Sequence, residues 1–278
     1  YIENMGVEIL GSKTAAIKKA EDRLLCSKEL TKMGLRVPQW TNAKSKEELL
    51  SQCSQLGFPV LIRPSFVLAG EGVVLVKNKE EVKQYLISVP PSLFDRPVLI
   101  DRFIEDALEV DIDILSDGMN TKSFILEQFE ATGVHSGDSY CVYPSQKISP
   151  SLLKELDGLA QHIAKSFSIV GLGNIQAAIK DNQIYIIEVN PRASRTIPFL
   201  SKATGIPLVN IATKLSLGAS LKQMASELRE VNHFISVKKP IFSFDKLPGL
   251  STTLGSVMKS TGESMATGLT IEEALAKF

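Results

Sequence analysis

The sequence lacks long apolar runs: none approaches the roughly 18–20 residues of a membrane-spanning helix, so no membrane partner is expected. It also lacks an excess of either charge, since 31 Lys and Arg balance 31 Asp and Glu. That balance argues against a general surface for nucleic acid or anionic lipid and leaves room for a local cationic pocket. The opening residues, YIENMGVEIL, have neither the basic start nor the apolar core of a secretory leader. They read as a short extended piece cut from a larger polypeptide. Only three cysteines occur, Cys26, Cys53 and Cys141, far apart and with no CxxC pair. This excludes a disulfide framework and predicts buried, inert thiols in a reducing compartment, hence a cytoplasmic location. The three histidines, His135, His162 and His233, have no zinc-ligand spacing. Repeats and low-complexity segments are absent.

What is present is ordinary globular material: 278 residues, 44% hydrophobic and 22% charged, enough for one large domain or two modest ones. Residues 13–34 are helical in composition, with Ser12 as the expected cap, Gly34 as the stop and a break at Glu21-Asp22. A second helix, 45–57, opens on a Ser45/Glu48 capping box. Strands are expected at 58–64 and 73–77, separated by the loop SFVLAGEG (65–72), and then at 97–104, after a helix at 78–88. EVDIDIL (109–115) alternates acidic and apolar residues and reads as a half-buried strand, with another at 123–130. A long amphipathic helix (151–168), a hairpin (174–190) and a helix (206–218) follow. The order predicts an α+β protein with antiparallel or mixed sheets, not regular βαβ winding.

The chemistry is concentrated in YIIEVNPRASRT (185–196). On a strand, Glu188 and Asn190 share one face. Gln176, on the other arm of the hairpin, joins them if it pairs opposite Glu188, which predicts a three-residue loop at 181–183. A carboxylate and two amide oxygens suit a hard cation such as Mg²⁺ or Mn²⁺. Arg192 and Arg195 can clamp phosphate or carboxylate. In IRPSFVLAGEG (62–72), Arg63 stands beside a loop of small residues able to lay backbone N–H groups over phosphates. GVHSGDS (133–139) offers His135 and Ser136 to a small anion. The acidic run Glu105, Asp106, Glu109, Asp111, Asp113 reads as a solvated face, one member of which can hold a ribose diol.

Taken in order, the RPS loop, the acidic strand, GVHSGDS, NIQ and IIEVNPRASRTIPFLSKATGIPL resemble an ATP-grasp ligase, in particular the large subunit of carbamoyl-phosphate synthetase. RTIPF, VHSGDS and KSTGESM are more similar to its second, carbamate-phosphorylating half than to its bicarbonate-phosphorylating first half. The resemblance implies two α+β lobes clamping ATP: an N-terminal helical segment (1–37), a small lobe with a phosphate lid (38–108), a large lobe with the metal site (109–218) and a C-terminal extension (219–278) for which no chemistry is argued. It implies Arg23 and Arg63 at the nucleotide phosphates, Gly70 in the lid, Arg102 and Ile104 at adenine and Glu109 at the ribose. Gly133, Val134, His135 and Ser136 fall in the loop beside the phosphates. Gln176, Glu188 and Asn190 become ligands of two Mg²⁺ or Mn²⁺ ions, and Arg192 and Arg195 face the transferred phosphate and carbamate. Partners implied are the remaining domains of a larger chain and a glutaminase small subunit, in arginine or pyrimidine biosynthesis. The lid's glycine pair is Ala69-Gly70 here, and Glu71 stands where an arginine is often found. Two other readings fit the residues: an ATP-grasp carboxylate–amine ligase with another acceptor, and a nucleotide-binding regulatory module without turnover.

Overall fold

The computed structural model describes residues 3–64, 72–246, 249 and 251–278, with Asn4 described by its backbone alone. The lid residues Ser65, Ala69, Gly70 and Glu71 lie outside the described residues.

The N-terminal helical stretch divides where the sequence predicts, into α1 (Thr14–Glu21) and α2 (Arg23–Lys32). Asp22 makes the break by accepting a hydrogen bond from Leu25 N–H at 3.0 Å, which caps α2. Ser12 does not cap α1. Its hydroxyl donates to Val170 O (3.3 Å) and accepts from Val170 N–H (3.0 Å), tying the N-terminal segment to a distant strand; Lys13 occupies the cap position with no side-chain bond.

A four-stranded antiparallel sheet follows: β1 (Trp40–Ala43), β2 (Val60–Arg63), β3 (Val74–Val76) and β4 (Val98–Arg102), in the order β1-β4-β2-β3. Helices α3 (Lys46–Leu56) and α4 (Lys79–Ser88) cover one face, enclosing Ala43, Leu49, Val60, Ile62, Val82 and Ile100. Ser45 caps α3 by accepting from Glu48 N–H (3.2 Å). Glu48 reaches back to the Lys44 N–H (2.7 Å), one residue earlier than the expected box.

The second sheet has seven strands: β5 (Leu108–Asp117), β6 (Thr121–Gln128), β7 (Cys141–Tyr143), β8 (Val170–Lys180), β9 (Gln183–Asn190), β10 (Ile235–Phe242) and β11 (Ser260–Gly268). Their order is β11-β10-β7-β6-β5-β8-β9, with antiparallel neighbours throughout. Helix α5 (Pro150–Ser166) packs Leu156, Ala160 and Ile163 against Val110, Ile112, Ile114 and Ile175 on one face. On the other face, α6 (Ile197–Thr204) and α7 (Leu208–Ser216) pack against Leu115, Phe124 and Leu126. A short helix, α8 (Ile271–Leu275), rests on β10 and β11.

Two expectations need correction. β5 is not half-buried: residues 110–116 are buried on both faces, because a strand in mid-sheet between two helical layers has no solvent side. Asp111 and Asp113 therefore lie inside the protein, while Glu105 and Asp106 of the same run are exposed. Residues 219–278 supply two strands of the large sheet and one helix rather than an appendage.

Candidate functional site

The β8–β9 hairpin brings Gln176 opposite Glu188 and Asn174 opposite Asn190. That is the expected pairing, reached by a different route. The turn has two residues, Asp181 and Asn182, both at positive φ (50° and 57°), and Lys180 pairs with Gln183. The register is corrected higher up: Ala177 pairs with Ile186, Gln176 with Glu188, and Ile187 is left over as a bulge. The bulge decides which way the polar residues point. Ile184 and Ile186 face the core under α5, and so does Val189. Without the extra residue, Glu188 and Asn190 would continue the phase of Ile184 and Ile186 into that core. With it, they face a cleft between the two sheets.

This cleft has a volume of about 660 Å³, and every candidate residue within the described part of the chain lines it. Arg23 comes from α2, Arg63 from β2, and Arg102 and Ile104 from the end of β4 and just beyond it. Glu109 lies on β5, and Gly133, Val134, His135 and Ser136 on the loop between β6 and β7. Gln176 lies on β8, Glu188 and Asn190 on β9, and Arg192 and Arg195 just past its end. Gly70 lies outside the described residues. The Arg102 amide already donates to Gln39 O (2.7 Å), and that of Phe103 to Pro59 O (3.0 Å). Gly133 has φ +92° and packs on the Phe103 ring, where a Cβ would sit 3.1 Å from ring carbons; its N–H donates to Glu109 Oε1 at 2.8 Å. His135 is held locally, its Nδ1 accepting from Gly137 N–H (3.0 Å), which leaves Nε2 to carry the proton of the neutral ring. Burial lowers its pKa.

Charge is unevenly distributed across the cleft. Burial alone would raise the Glu188 pKa, but Arg23 and Arg63 outweigh it and, with a hydrogen bond from Asn190, hold the carboxyl at about 2. Arg23 Nη1 lies 2.8 Å from Glu188 Oε2 and Arg63 Nη1 3.9 Å from the same oxygen. Arg63 is itself buried and pairs through Nε with Asp101. On β5 the sign reverses. Burial and the neighbouring Asp111 push Asp113 up to about 6, against hydrogen bonds from Ser194, Thr196 and Asn174. Burial, with a smaller contribution from Asp111, raises Glu109 to about 7 even though the Gly133 N–H opposes it. The three cysteines are buried and free. Cys26 lines the cleft, and burial pushes its thiol up to about 12, leaving it no nucleophilic role at neutral pH.

Residues 22–224 match the family described as carbamoyl-phosphate synthase L chain, ATP binding domain. The chain belongs to this family. The carbamoyl phosphate synthase large chain of Thermotoga neapolitana is 42% identical over 299 aligned positions, which take in all of this chain and 27% of the relative. The chain thus spans about a quarter of the length of that curated relative. Among solved structures, N5-carboxyaminoimidazole synthase from Aspergillus clavatus, in complex with ADP and 5-aminoimidazole ribonucleotide, superposes with a TM-score of 0.80 at 15% identity, covering 99% of this chain and 76% of that one. The biotin carboxylase domain of Hydrogenobacter thermophilus 2-oxoglutarate carboxylase, in complex with MgADP, ADP and bicarbonate, gives 0.74 at 18% identity, covering 96% and 65%. The fold is the α+β ATP-grasp fold.

Beyond the expected set, this carbamoyl-phosphate synthase-type domain lines its cleft with Asp101, Asp111, Asn174, Thr196, Lys238 and Ser256. Asp111, 3% exposed, accepts from three amides: Gln128 (2.7 Å), Asn174 (3.3 Å) and Gln176 (3.4 Å). The acidic–apolar alternation that marked this strand carried the signal, but a solvated face was the wrong reading of it. Lys238 and Ser256 come from the segment where no chemistry was expected; the alternation in ISVKKPIF was the available clue. Residues 255–260 also tie the cleft together: Ser256 donates to Val73 O (2.9 Å), Gly255 O accepts from His135 N–H (2.8 Å), and Asp138 accepts from Lys259 N–H (2.8 Å) and Ser260 N–H (2.8 Å).

The donor set at the end of β9 fits a hard divalent cation. It is all oxygen, one member is a carboxylate ionised down to about pH 2, and two amides lie beside it in register. Among the described residues no group of three or more His, Cys, Asp or Glu is placed to hold a metal, so a cation here depends on those amides.

Proposed function

We propose that this chain is an ATP-dependent phosphoryl-transfer domain of a carbamoyl-phosphate synthase large chain, and that its cleft phosphorylates carbamate. One observation carries the reading. At the end of β9, Glu188, Gln176 and Asn190 meet Arg23, Arg63, Arg192 and Arg195, drawn from both sides of a single cleft. Phosphoryl transfer asks for positioning and charge neutralisation more than for a protein nucleophile, and this is the inventory it needs.

In this reading Arg23 and Arg63 bind the nucleotide phosphates, Arg102 and Ile104 line the adenine end and Glu109 takes the ribose hydroxyls. Gly133, Val134, His135 and Ser136 border the phosphates, and Gly70, outside the described residues, is assigned to the lid. Gln176, Glu188 and Asn190 would hold Mg²⁺ or Mn²⁺, one ion or two. A bound cation would neutralise phosphate charge and fix the reacting oxygens in line. Arg192 and Arg195 orient the acceptor. A carbamate oxygen forms the new P–O bond, the bond from the γ-phosphorus to the β–γ bridging oxygen breaks, and ADP leaves with that electron pair. Arg23, assigned to the nucleotide phosphates, would stabilise the charge that develops there. The lobes are assigned to residues 38–108 and 109–218, flanked by 1–37 and 219–278. The partners are the rest of a longer chain and a glutaminase subunit that supplies ammonia for arginine or pyrimidine synthesis. The free thiols suit a reducing, cytoplasmic setting, and no helix among the described residues is long and apolar enough to cross a membrane.

Bicarbonate is the second acceptor to weigh, because the Hydrogenobacter thermophilus domain of the same fold was solved with MgADP and bicarbonate. Running the reaction backwards separates the two. ATP formed from MgADP and carbamoyl phosphate supports carbamate. ATP hydrolysis that requires bicarbonate, with no reverse reaction, supports bicarbonate. Failure of both leaves a binding module without turnover.

A further inference from the structure

We infer that Lys238 is a positioning residue for the cation site, acting through Ser136 to set which way the Gln176 amide faces. The inference rests on the proposed reading of Gln176, Glu188 and Asn190 as cation ligands. Lys238 lies on β10, outside the residues that match the family. It is the only buried lysine among the described residues, at 1% exposure. Removing such a side chain from water costs several kcal/mol unless its partners compensate, so its placement calls for a role.

Its Nζ donates to Ser136 O at 3.2 Å; the other donor to that carbonyl, Ser139 N–H, is at 3.4 Å. Glu130 and Glu263 are carboxylates near enough to feel its charge. The Ser136 hydroxyl in turn accepts from Gln176 Nε2 at 3.0 Å, and Asp111 accepts from the same nitrogen at 3.4 Å. Asp111 Oδ1 accepts from Gln176 and from Asn174, so the Gln176 amide turns its NH₂ toward Asp111. The Gln176 oxygen is then left for the side where Glu188 lies directly across the hairpin. A flipped amide would set oxygen against carboxylate on one side and present NH₂ to a cation on the other. Asp111 states the preference, and Ser136, anchored by Lys238, completes it. Neighbouring parts of the same loop are pinned independently, Gly137 O by Ser260 Oγ (2.9 Å) and Asp138 by the backbone of residues 259 and 260. Lys238 therefore acts on Ser136 rather than on the whole turn.

The test is Mn²⁺ binding, read by electron paramagnetic resonance of free Mn²⁺, in the presence of the β,γ-imido analogue of ATP. Lys238→Met and Ser136→Ala should each weaken Mn²⁺ binding about tenfold, the scale of residues that orient metal ligands. The double variant should lose no more than either single one. Lys238→Arg, which keeps a donor, should recover most of the affinity. For Lys238→Met, which removes no residue assigned to the nucleotide, nucleotide affinity at saturating Mn²⁺ should stay within about twofold, a split that general loosening of the fold would not produce. Unchanged Mn²⁺ affinity in Ser136→Ala overturns the inference even if Lys238→Met fails to fold. Losses that multiply in the double variant overturn it as well, assigning Lys238 to Glu130 and Glu263 alone. If the unsubstituted chain binds no Mn²⁺, the proposed function itself fails and the inference with it.

Discussion

The carboxylates on β5 and the carboxylate on β9 flank the same strand, β8, yet they titrate in opposite directions. Glu109 is pushed up to about 7 and Asp113 to about 6, while Glu188 is held at about 2. Burial raises all three. The difference is in what comes from outside the sheet. The β5 acids meet amide, hydroxyl and backbone N–H donors and one another. Glu188 meets two guanidiniums, one from α2 and one from the small sheet. A sheet can orient a buried carboxylate with its own amides, and at Glu188 the cost of burial is overcome by a cation from another element. In this molecule that cation comes partly from across the cleft. The ionised group thus lies on the edge strand where the two sheets face each other, and the more easily protonated ones lie on a strand nearer the middle of the large sheet.

Four changes break or sharpen this contrast, in order of expected size. Deleting Ile187 removes the bulge and turns Glu188 toward the core side of Ile184 and Ile186, without either arginine. Burying an unpaired carboxylate there should cost more than about 4 kcal/mol and abolish cooperative thermal unfolding of a native state. A deletion variant that melts near the parent temperature contradicts the assigned phase. Asp101→Ala comes next. It strips buried Arg63 of its close partner and leaves, among the described carboxylates, Glu188 at 3.9 Å, which should cost about 3–5 kcal/mol in urea unfolding.

Asp113→Asn acts through pH. The native pKa of Asp113 lies above its unfolded value, so its contribution to stability is present in full below about pH 4 and lost as pH rises through about 6. Unfolding free energies measured across that window should fall with pH in the parent, Asp113 accounting for up to about 3 kcal/mol of the fall, and should fall less in the variant. An identical slope would show that Asp113 does not titrate there. Glu188 has the opposite sign: its contribution is present above about pH 4.5 and lost as pH falls toward about 2. Arg23→Met should move the Glu188 carboxyl upward, visible in its ¹³C chemical shift on titration, and cost about 1 kcal/mol at neutral pH. No movement would leave Arg63 and the Asn190 hydrogen bond as the sources of the low pKa.

Much of the fold was legible because its signals are local. Asp22 splitting the first helix, Ser45 opening α3 and the apolar stripe of α5 are each decided by a few neighbouring residues. The cluster at the end of β9 was legible as a group of cleft-lining residues because the strand end crowds a carboxylate, an amide and two arginines into eight positions. What the sequence hid was non-local. A bulge at Ile187 has no marker of its own, so the pairing of Gln176 with Glu188 was right for the wrong reason: a longer turn was assumed where a two-residue turn and a displaced residue do the same work. The buried state of Asp111 and Asp113 depends on helices laid over both faces of β5, and Arg63 pairs with Asp101 only once β2 lies beside β4. Lys238 is invisible as a cleft residue until β10 joins the sheet beside β7.

The most direct test of the account is calorimetry of ATP binding in Mg²⁺, on the chain and on Glu188→Ala. The account predicts saturable binding that the substitution weakens at least about tenfold, or about 1.4 kcal/mol, with much less change in thermal stability than Asp101→Ala causes. Equal affinity in the two proteins would contradict it, because the ionised carboxylate at the end of β9 would then have no part in holding the nucleotide and its cation.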